Sequence, residues 1–203
     1  GHIGFEQVWM DKLNANVPRM KVFDTSEGID FIRVEGHHHG NHEHEGGVEP
    51  HIWNSTTNAS IIADNICKAL CQLDTVNQSY YQERTDSLKQ IIVQTDRNIR
   101  SFLQKADSTF LIYHPALSYF ARDYGLKQIS IEEGGKEPSP SNLKTLIDTC
   151  RREGVRVIFV QQEFDQRNAQ LIASELGIQV IPINPLSYDW QEEMIRVAES
   201  LMK

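Results

Sequence analysis

The residues with the most evident chemistry form a cluster of histidines in the first quarter of the chain. Imidazole is a borderline ligand that suits zinc, copper and nickel. Two carboxylates, Glu43 and Glu45, add negative charge, and no Lys or Arg occurs between Val34 and Cys67. A purification tag is the plain alternative, but a tag is usually an unbroken terminal run, whereas Gly, Asn and Glu interrupt this one. We call residues 36–45 the histidine-rich loop and predict that it gathers metal ions through His37, His38, His39, His42 and His44.

Two further histidines stand in sharper local contexts. His51 follows Pro50, and Ser55 or Thr56 can cap the helix predicted after it. His114 comes where an apolar strand stops and a helix begins. Either histidine alone would more often be a hydrogen-bonded structural residue than a ligand. Because the histidine-rich loop occurs in the same chain, we favour the interpretation that His51 and His114 bind metal.

The length and the net charge of the chain limit the classes of function that it can have. The 203 residues suffice for a sizeable core, and the formal net charge of −8 argues against a nucleic-acid partner, which needs basic residues for steering. The sequence contains no apolar run long enough to span a membrane and opens on no signal peptide. It opens instead on a helical pattern with no strand before it, so the natural protein is expected to extend upstream.

The three cysteines cannot all pair within one chain. Cys67 and Cys71 fall one turn apart on a predicted helix, with nearly parallel side chains, and Cys150 is distant in sequence. We expect all three to be buried thiols. Zinc ligation by the Cys67 and Cys71 pair is the less favoured alternative.

Hydrophobic periodicity predicts an α/β protein. Helices are predicted at residues 5–15, 58–73, 76–106, 116–124, 140–153, 166–176 and 190–202. Strands are predicted at residues 20–23, 109–113, 128–131, 156–160 and 179–183. Alternation of strands and helices after residue 107 favours a parallel sheet with right-handed crossovers. The predicted division is an N-terminal lobe with the histidine-rich loop, a long connecting helix and a C-terminal lobe, at residues 1–75, 76–106 and 107–203.

Polar side chains follow each strand of the predicted C-terminal sheet. Open parallel sheets bind ligands beyond the carboxyl ends of their strands, so these residues are expected at one edge. The plain alternative for any one of them is a solvated loop residue. The residues are His114, Glu132, Glu133, Gln161, Gln162, Glu163 and Asn184.

Several segments carry a resemblance to a known family. The chain resembles the zinc/manganese-type solute-binding proteins of bacterial ABC transporters, and the matching pieces follow the same order over essentially the whole chain. They are the histidine-rich loop and residues 4–9 (GFEQVW), 49–53 (EPHIW), 113–120 (YHPALSYF), 133–140 (EGGKEPSP) and 184–186 (NPL).

This resemblance implies a fold and a metal site. The implied fold is two α/β lobes of parallel sheet with flanking helices, joined by one long rigid helix, with the N-terminal lobe incomplete because the chain is truncated. The implied ligands are His51 and His114, with Asn184 where the family often has a carboxylate and no counterpart of the first family histidine. With two of the family's ligands missing, weak affinity is expected unless Glu132, Glu133, Glu163 or a loop histidine completes the shell.

The implied function is capture of Zn²⁺ between the lobes for delivery to a membrane permease. Zinc is favoured over Mn²⁺ because imidazoles outnumber carboxylates at the implied site. The implied location is the periplasm, or the outer side of the cytoplasmic membrane as an anchored lipoprotein. An adhesin or structural module is the alternative, and a metal-dependent hydrolase is disfavoured because no His-Glu-x-x-His helix occurs. Apolar surface on residues 1–75 is expected to favour self-association.

Overall fold

The computed structural model describes residues 4–17, 19–33, 47–132 and 135–202, with side chains from Trp9 onward. It divides into two compact units, Gly1–Ile92 and Val93–Lys203. The helix boundaries are α1 Gly4–Asn16, α2 Thr56–Leu73, α3 Gln78–Leu103, α4 Ser118–Tyr124, α5 Pro140–Arg152, α6 Arg167–Leu176 and α7 Trp190–Ser200. The strands are β1 Thr109–Ile112, β2 Lys127–Ser130, β3 Val157–Gln161 and β4 Gln179–Ile183.

The first unit contains α1, α2 and most of α3. Ser55 is the N-cap of α2, and its hydroxyl accepts a hydrogen bond of 3.0 Å from the backbone N–H of Asn58. Among the described residues of this unit, the only strand-like pairing is an isolated antiparallel bridge between Arg33 and Val48. The predicted helices are therefore confirmed here, and no sheet accompanies them within the described ranges.

The strand predicted at residues 20–23 is wrong. The backbone there is irregular, and Met20 and Val22 are exposed. A short apolar run becomes a strand only when a neighbouring strand takes up its N–H and C=O groups, and the described residues of this unit supply none. Apolar side chains are exposed on α2 as well, at Ile66, Leu70 and Leu73, and the self-association expected for residues 1–75 stays a prediction.

The second unit is built on one four-stranded parallel sheet, in the order β2-β1-β3-β4. Its four strands and its helices α4 to α7 confirm the α/β prediction to within about two residues at each end. Ser139 caps α5 directly before Pro140, as its sequence indicates. The chain reverses direction after Gly125 and Gly177, where positive φ angles suit glycine.

Alternate side chains of the central strands pack into two separate cores. On one face Phe110 and Phe159 lie in a cluster with residues of α3, α4 and α7. On the other face Leu111 and Ile158 pack against α5 and α6. The two-residue repeat of strand side chains thus places β1 and β3 at the centre of a three-layer α/β/α unit, buried on both faces.

The topology also marks where a ligand would bind. From β1 the chain crosses to β2 on one side and later returns to β3 on the other side of β1. In open α/β sheets such a reversal opens a crevice at the carboxyl ends of the two diverging strands. The residues directly after β1 and β3 therefore border the switch point of this sheet.

Two of the three cysteines are less buried than predicted. Cys150 is buried, but Cys67 and Cys71 are only half-buried. Burial raises the pKa of Cys150 to about 11, so about one thiol in a thousand would be ionised at pH 8. Burial and a hydrogen bond with Cys67 also raise the pKa of Cys71.

We expect a thiol-disulfide reagent at pH 8 to modify Cys67 and Cys71 in the folded protein and Cys150 only after unfolding. The reacting thiolate is scarce at Cys150 and the reagent cannot enter the core. Counting released chromophore with and without denaturant measures this directly. Simultaneous reaction of all three thiols in buffer would contradict the packing around Cys150, and the Cys150→Ser variant identifies the slow thiol.

Candidate metal centre

His114 lies at the switch point, held there by a side chain from the neighbouring strand. The backbone N–H of His114 donates to Oε1 of Gln161 over 3.3 Å, and Nε2 of Gln161 donates to the carbonyl of His114 over 2.7 Å. Gln161 ends β3 and is 1 % exposed. This pair of hydrogen bonds fixes the backbone of His114 against β3.

The imidazole of His114 is oriented by two further contacts. Its Nδ1 lies 3.1 Å from Oε2 of Glu132, whose side chain is 9 % exposed. Its face stacks on the ring of Phe164, with centroids 5.4 Å apart and planes inclined by 17°. Phe164 also stacks on Tyr113, and burial raises the pKa of Tyr113, so that phenol remains protonated. The ring of His114 remains 31 % exposed by side chain, which leaves it accessible to a ligand.

Glu132 reaches His114 because β2 runs beside β1. Its backbone N–H continues the ladder by donating to the carbonyl of Tyr113 over 3.1 Å. Gly135 then turns the chain away with φ +79°, and a Cβ added there would lie 3.7 Å from Oε1 of Glu132. The carboxylate therefore lies beside the Nδ1 atom of the ring.

His51 has the same kind of neighbour in the first unit. Its Nδ1 contacts Oε1 of Glu49, and the same oxygen accepts the backbone N–H of His51 over 3.2 Å. The side chains of Glu49 and His51 are 7 % and 16 % exposed. Trp53 meets the imidazole edge to face, with ring centroids 5.5 Å apart. The turn between Glu49 and α2 is thus built tightly around this histidine.

Among the described residues, the polar ones directly after β3 and β4 do not join the cluster of contacts around His114. Asn184 follows β4, and its Oδ1 accepts the N–H of Leu186 over 3.2 Å while its own N–H donates to Oε1 of Glu193 over 2.7 Å. One strand separates β4 from β1, so the two strand ends are roughly 10 Å apart. Gln162 and Glu163 are exposed. The metal-ligand role of Asn184 stays a prediction.

Several predicted metal residues lie outside the described part of the chain. These are Glu133 and the loop histidines His37, His38, His39, His42 and His44. Within the described residues of either unit, no three His, Cys, Asp or Glu side chains come together as a ready-made metal cluster. The described candidates are therefore two histidines, each paired with a carboxylate.

Sequence reasoning missed three contributors to this geometry. It placed Gln161 at the strand end but not in contact with the backbone of His114, it did not single out Phe164, and it treated Glu132 only as a possible ligand. A glutamine closing an otherwise apolar strand is the one signal available for Gln161. Nothing in the sequence indicates that Glu132, 18 residues after His114, contacts that ring.

Comparison with known proteins identifies the family of the chain. The family described as "Zinc-uptake complex component A periplasmic" matches residues 2–203. The chain belongs to this family. Among its curated relatives, the high-affinity zinc uptake system protein ZnuA of Bacillus subtilis is 30 % identical over 183 residues, which cover 84 % of this chain and 56 % of that protein.

Solved structures give the same result at the level of the fold. A crystal structure of ZnuA superposes with a TM-score of 0.87 at 32 % identity, covering 98 % of this chain and 75 % of that one. The laminin-binding protein Lmb of Streptococcus agalactiae, described as bifunctional with adhesin and metal-transporting activity, superposes with a TM-score of 0.81. It is 26 % identical, over 100 % of this chain and 79 % of that one. The predicted family and α/β class are confirmed.

The chain spans about half the length of the curated relatives it matches, between 46 % and 57 % for three of them. No helix in the described ranges is long and apolar enough to cross a membrane.

Proposed function

We propose that this protein is the zinc-binding component of an ABC metal-uptake system and that it captures Zn²⁺ for delivery to a membrane permease. The observation that carries the proposal is His114, which lies at the switch point of the sheet with its backbone tied to Gln161 and a carboxylate on its Nδ1. Membership of a family described by zinc uptake supports the same conclusion. On this reading the protein acts outside the cytoplasmic membrane, in the periplasm or as an anchored lipoprotein.

The proposed ligands are His51 and His114, with Asn184 and Glu133 as candidates for the rest of the shell. Zinc readily coordinates imidazole nitrogens and commonly has four ligands, whereas manganese prefers oxygen ligands. Two imidazoles against one amide and one carboxylate therefore favour Zn²⁺, with Mn²⁺ second. The five loop histidines are proposed to gather zinc with lower affinity, because a loop rich in glycine loses conformational freedom when it closes on an ion.

The proposed function can be tested by titrating the metal-free protein with zinc. We expect one tight binding step of unit stoichiometry, followed by weaker ones. A ligand that binds only the folded state stabilises it by about 2.7 kcal/mol at a hundredfold excess over its dissociation constant. For a chain of this size that corresponds to a rise in melting temperature of roughly 5 to 10 °C. A titration with weak steps alone, and no rise in melting temperature, would refute the proposal for this chain.

The same titration with Mn²⁺ decides the metal preference. Anomalous diffraction at the zinc edge would then show which rings hold the ion. We expect a strong peak within about 2.1 Å of one nitrogen of His114, and likewise of one nitrogen of His51. Separate peaks at the two rings would show that each histidine binds independently.

A second function, adhesion, is favoured by one observation, the likeness to a laminin-binding protein of adhesin and metal-transporting activity. A carrier needs reversible metal occupancy of fixed stoichiometry, and an adhesin does not. Binding to laminin-coated surfaces with and without zinc separates the two, because adhesion that is unchanged by metal removal would not need the site at His114. No catalytic role is proposed. Self-association through the exposed apolar positions of α2 remains a prediction that sedimentation would test.

A further inference from the structure

We propose that Glu49 and Glu132 are positioning residues, each of which holds one candidate zinc ligand by its Nδ1 atom and presents the Nε2 atom to the metal. The proposal rests on the proposed function, because it concerns how the same histidines are prepared for zinc. It replaces the expectation that Glu132 ligates the ion directly.

The chemistry of the pair determines which nitrogen is presented. A neutral imidazole has one N–H and one lone pair, and an ionised carboxylate can only accept hydrogen bonds. A carboxylate at Nδ1 therefore favours the tautomer with the proton on Nδ1, and the lone pair that a metal takes is then on Nε2. Metal-ligating histidines commonly have such a partner on the other nitrogen, where it fixes the ring and strengthens the ligand.

At His114 this arrangement is rigid on three sides. The carboxylate of Glu132 lies 3.1 Å from Nδ1, Phe164 stacks on the face of the ring, and Gln161 ties the backbone in both directions. Glu132 as a whole is 8 % exposed, so it is held in the protein while the ring reaches toward solvent. The ring cannot turn over without breaking the contact with Glu132 or unstacking from Phe164.

At His51 a different local structure produces the same contact. Glu49 stands two residues before His51, and one oxygen of its carboxylate serves both the ring and the backbone N–H of that histidine. Glu49 is 5 % exposed, and its own N–H donates to the carbonyl of Ile32 over 2.9 Å. A tight turn thus supplies for His51 what a neighbouring strand supplies for His114.

This repetition in two unrelated local structures is the reason for the assignment. Burial of an ionised carboxylate is unfavourable unless the charge is well hydrogen-bonded, so two nearly buried carboxylates need a reason to be there. Both are directed at the same atom of the two histidines that the metal site requires. A positioning role for both carboxylates accounts for their burial and for their common target.

The test uses Glu49→Gln and Glu132→Gln, with Glu27→Gln and Glu175→Gln as exposed controls in the same two units. Long-range ¹⁵N–¹H spectra of the metal-free protein report the tautomer of each imidazole. We expect the Nδ1–H tautomer at His51 and His114 in the unchanged protein, and a loss of that preference at the affected ring in each variant. The control variants should retain it.

Competition with a chromophoric chelator then measures zinc affinity. Loss of such a partner typically weakens metal binding by about 10- to 100-fold. We expect this loss in both variants, a larger loss in His114→Ala, and a melting temperature of the metal-free Glu132→Gln protein close to that of the unchanged protein. An affinity within about threefold of the unchanged protein overturns the proposal, as does a loss as complete as that of His114→Ala, which would make Glu132 a ligand.

The tautomer measurement tests the positioning role of Glu49 and Glu132, whereas the zinc affinity of the unchanged protein tests the proposed function. If the unchanged protein binds no zinc tightly, the proposed function fails, while the spectra of the metal-free protein still decide whether the carboxylates set the tautomer. If zinc binds tightly but both rings carry the proton on Nε2 without metal, the proposed function stands and the positioning role is refuted. A lower melting temperature with unchanged tautomers would indicate a structural role only.

Discussion

His114→Ala is expected to abolish the tightest zinc-binding step and to leave several weak ones. His114 is a proposed ligand already oriented by Gln161, Glu132 and Phe164, so its loss removes a ligand that need not first be ordered. Because loss of a supporting residue already weakens metal binding by about 10- to 100-fold, loss of the ligand itself should exceed about 100-fold. The weak steps remain because the five histidines of the loop are untouched.

Deletion of residues 37–45 is the complementary change. It should remove the weak steps and keep the tight one, together with the rise in melting temperature on adding zinc. His2 belongs neither to the histidine-rich loop nor to the proposed ligands His51 and His114. His2→Ala therefore serves as the matched control and should leave the tight and the weak binding steps unchanged. Isothermal titration of the three variants measures this. If the deletion removes all zinc binding and His114→Ala changes nothing, this chain has no working site at His114.

Phe159→Ala is expected to reduce the free energy of unfolding by about 3 to 5 kcal/mol. Phe159 lies on the central strand β3, is fully buried, and meets Phe110 edge to face with centroids 5.5 Å apart. Its truncation removes apolar contacts and leaves a cavity between the sheet and the helices on that face. The loss would be a large fraction of the 5 to 15 kcal/mol typical of a folded domain.

Urea unfolding followed by circular dichroism measures this loss. Leu171→Ala is the control, because Leu171 lies on α6 and is 48 % exposed. Its variant should unfold within about 1 kcal/mol of the unchanged protein. Equal midpoints for the Phe159 and Leu171 variants would contradict the assignment of Phe159 to the core. Zinc at saturating concentration should partly restore the midpoint of the Phe159 variant, since a ligand that binds only the folded state stabilises that state.

The elements of the second unit were predictable because their side-chain pattern is decided locally. Strands β1 and β3 are short and buried, and all their residues except Thr109 and Gln161 are apolar, as buried parallel strands should be. Helix α5 shows the helical repeat between Ser139 at its start and Gly154 after its end. The same method failed at residues 20–23, where an apolar run has no strand partner. Pairing depends on distant residues, and local pattern does not record it.

Residue types and spacing were enough to name His51 and His114 as ligand candidates and to place His114 at a strand end. The order of strands and helices also determined the parallel sheet and the edge at which a ligand binds. These conclusions follow from the sequence because covalent neighbours and side-chain periodicity are local properties.

Only the tertiary structure decided how the histidine of the switch point is held. Gln161 comes from β3 and Glu132 from the end of β2, and both meet His114 because the sheet order places their strands on either side of β1. Phe164 reaches the ring from the turn after β3. The orientation of an imidazole depends on atoms within a few ångströms of it, and residues 18 to 50 positions away reach that distance only when the chain has folded.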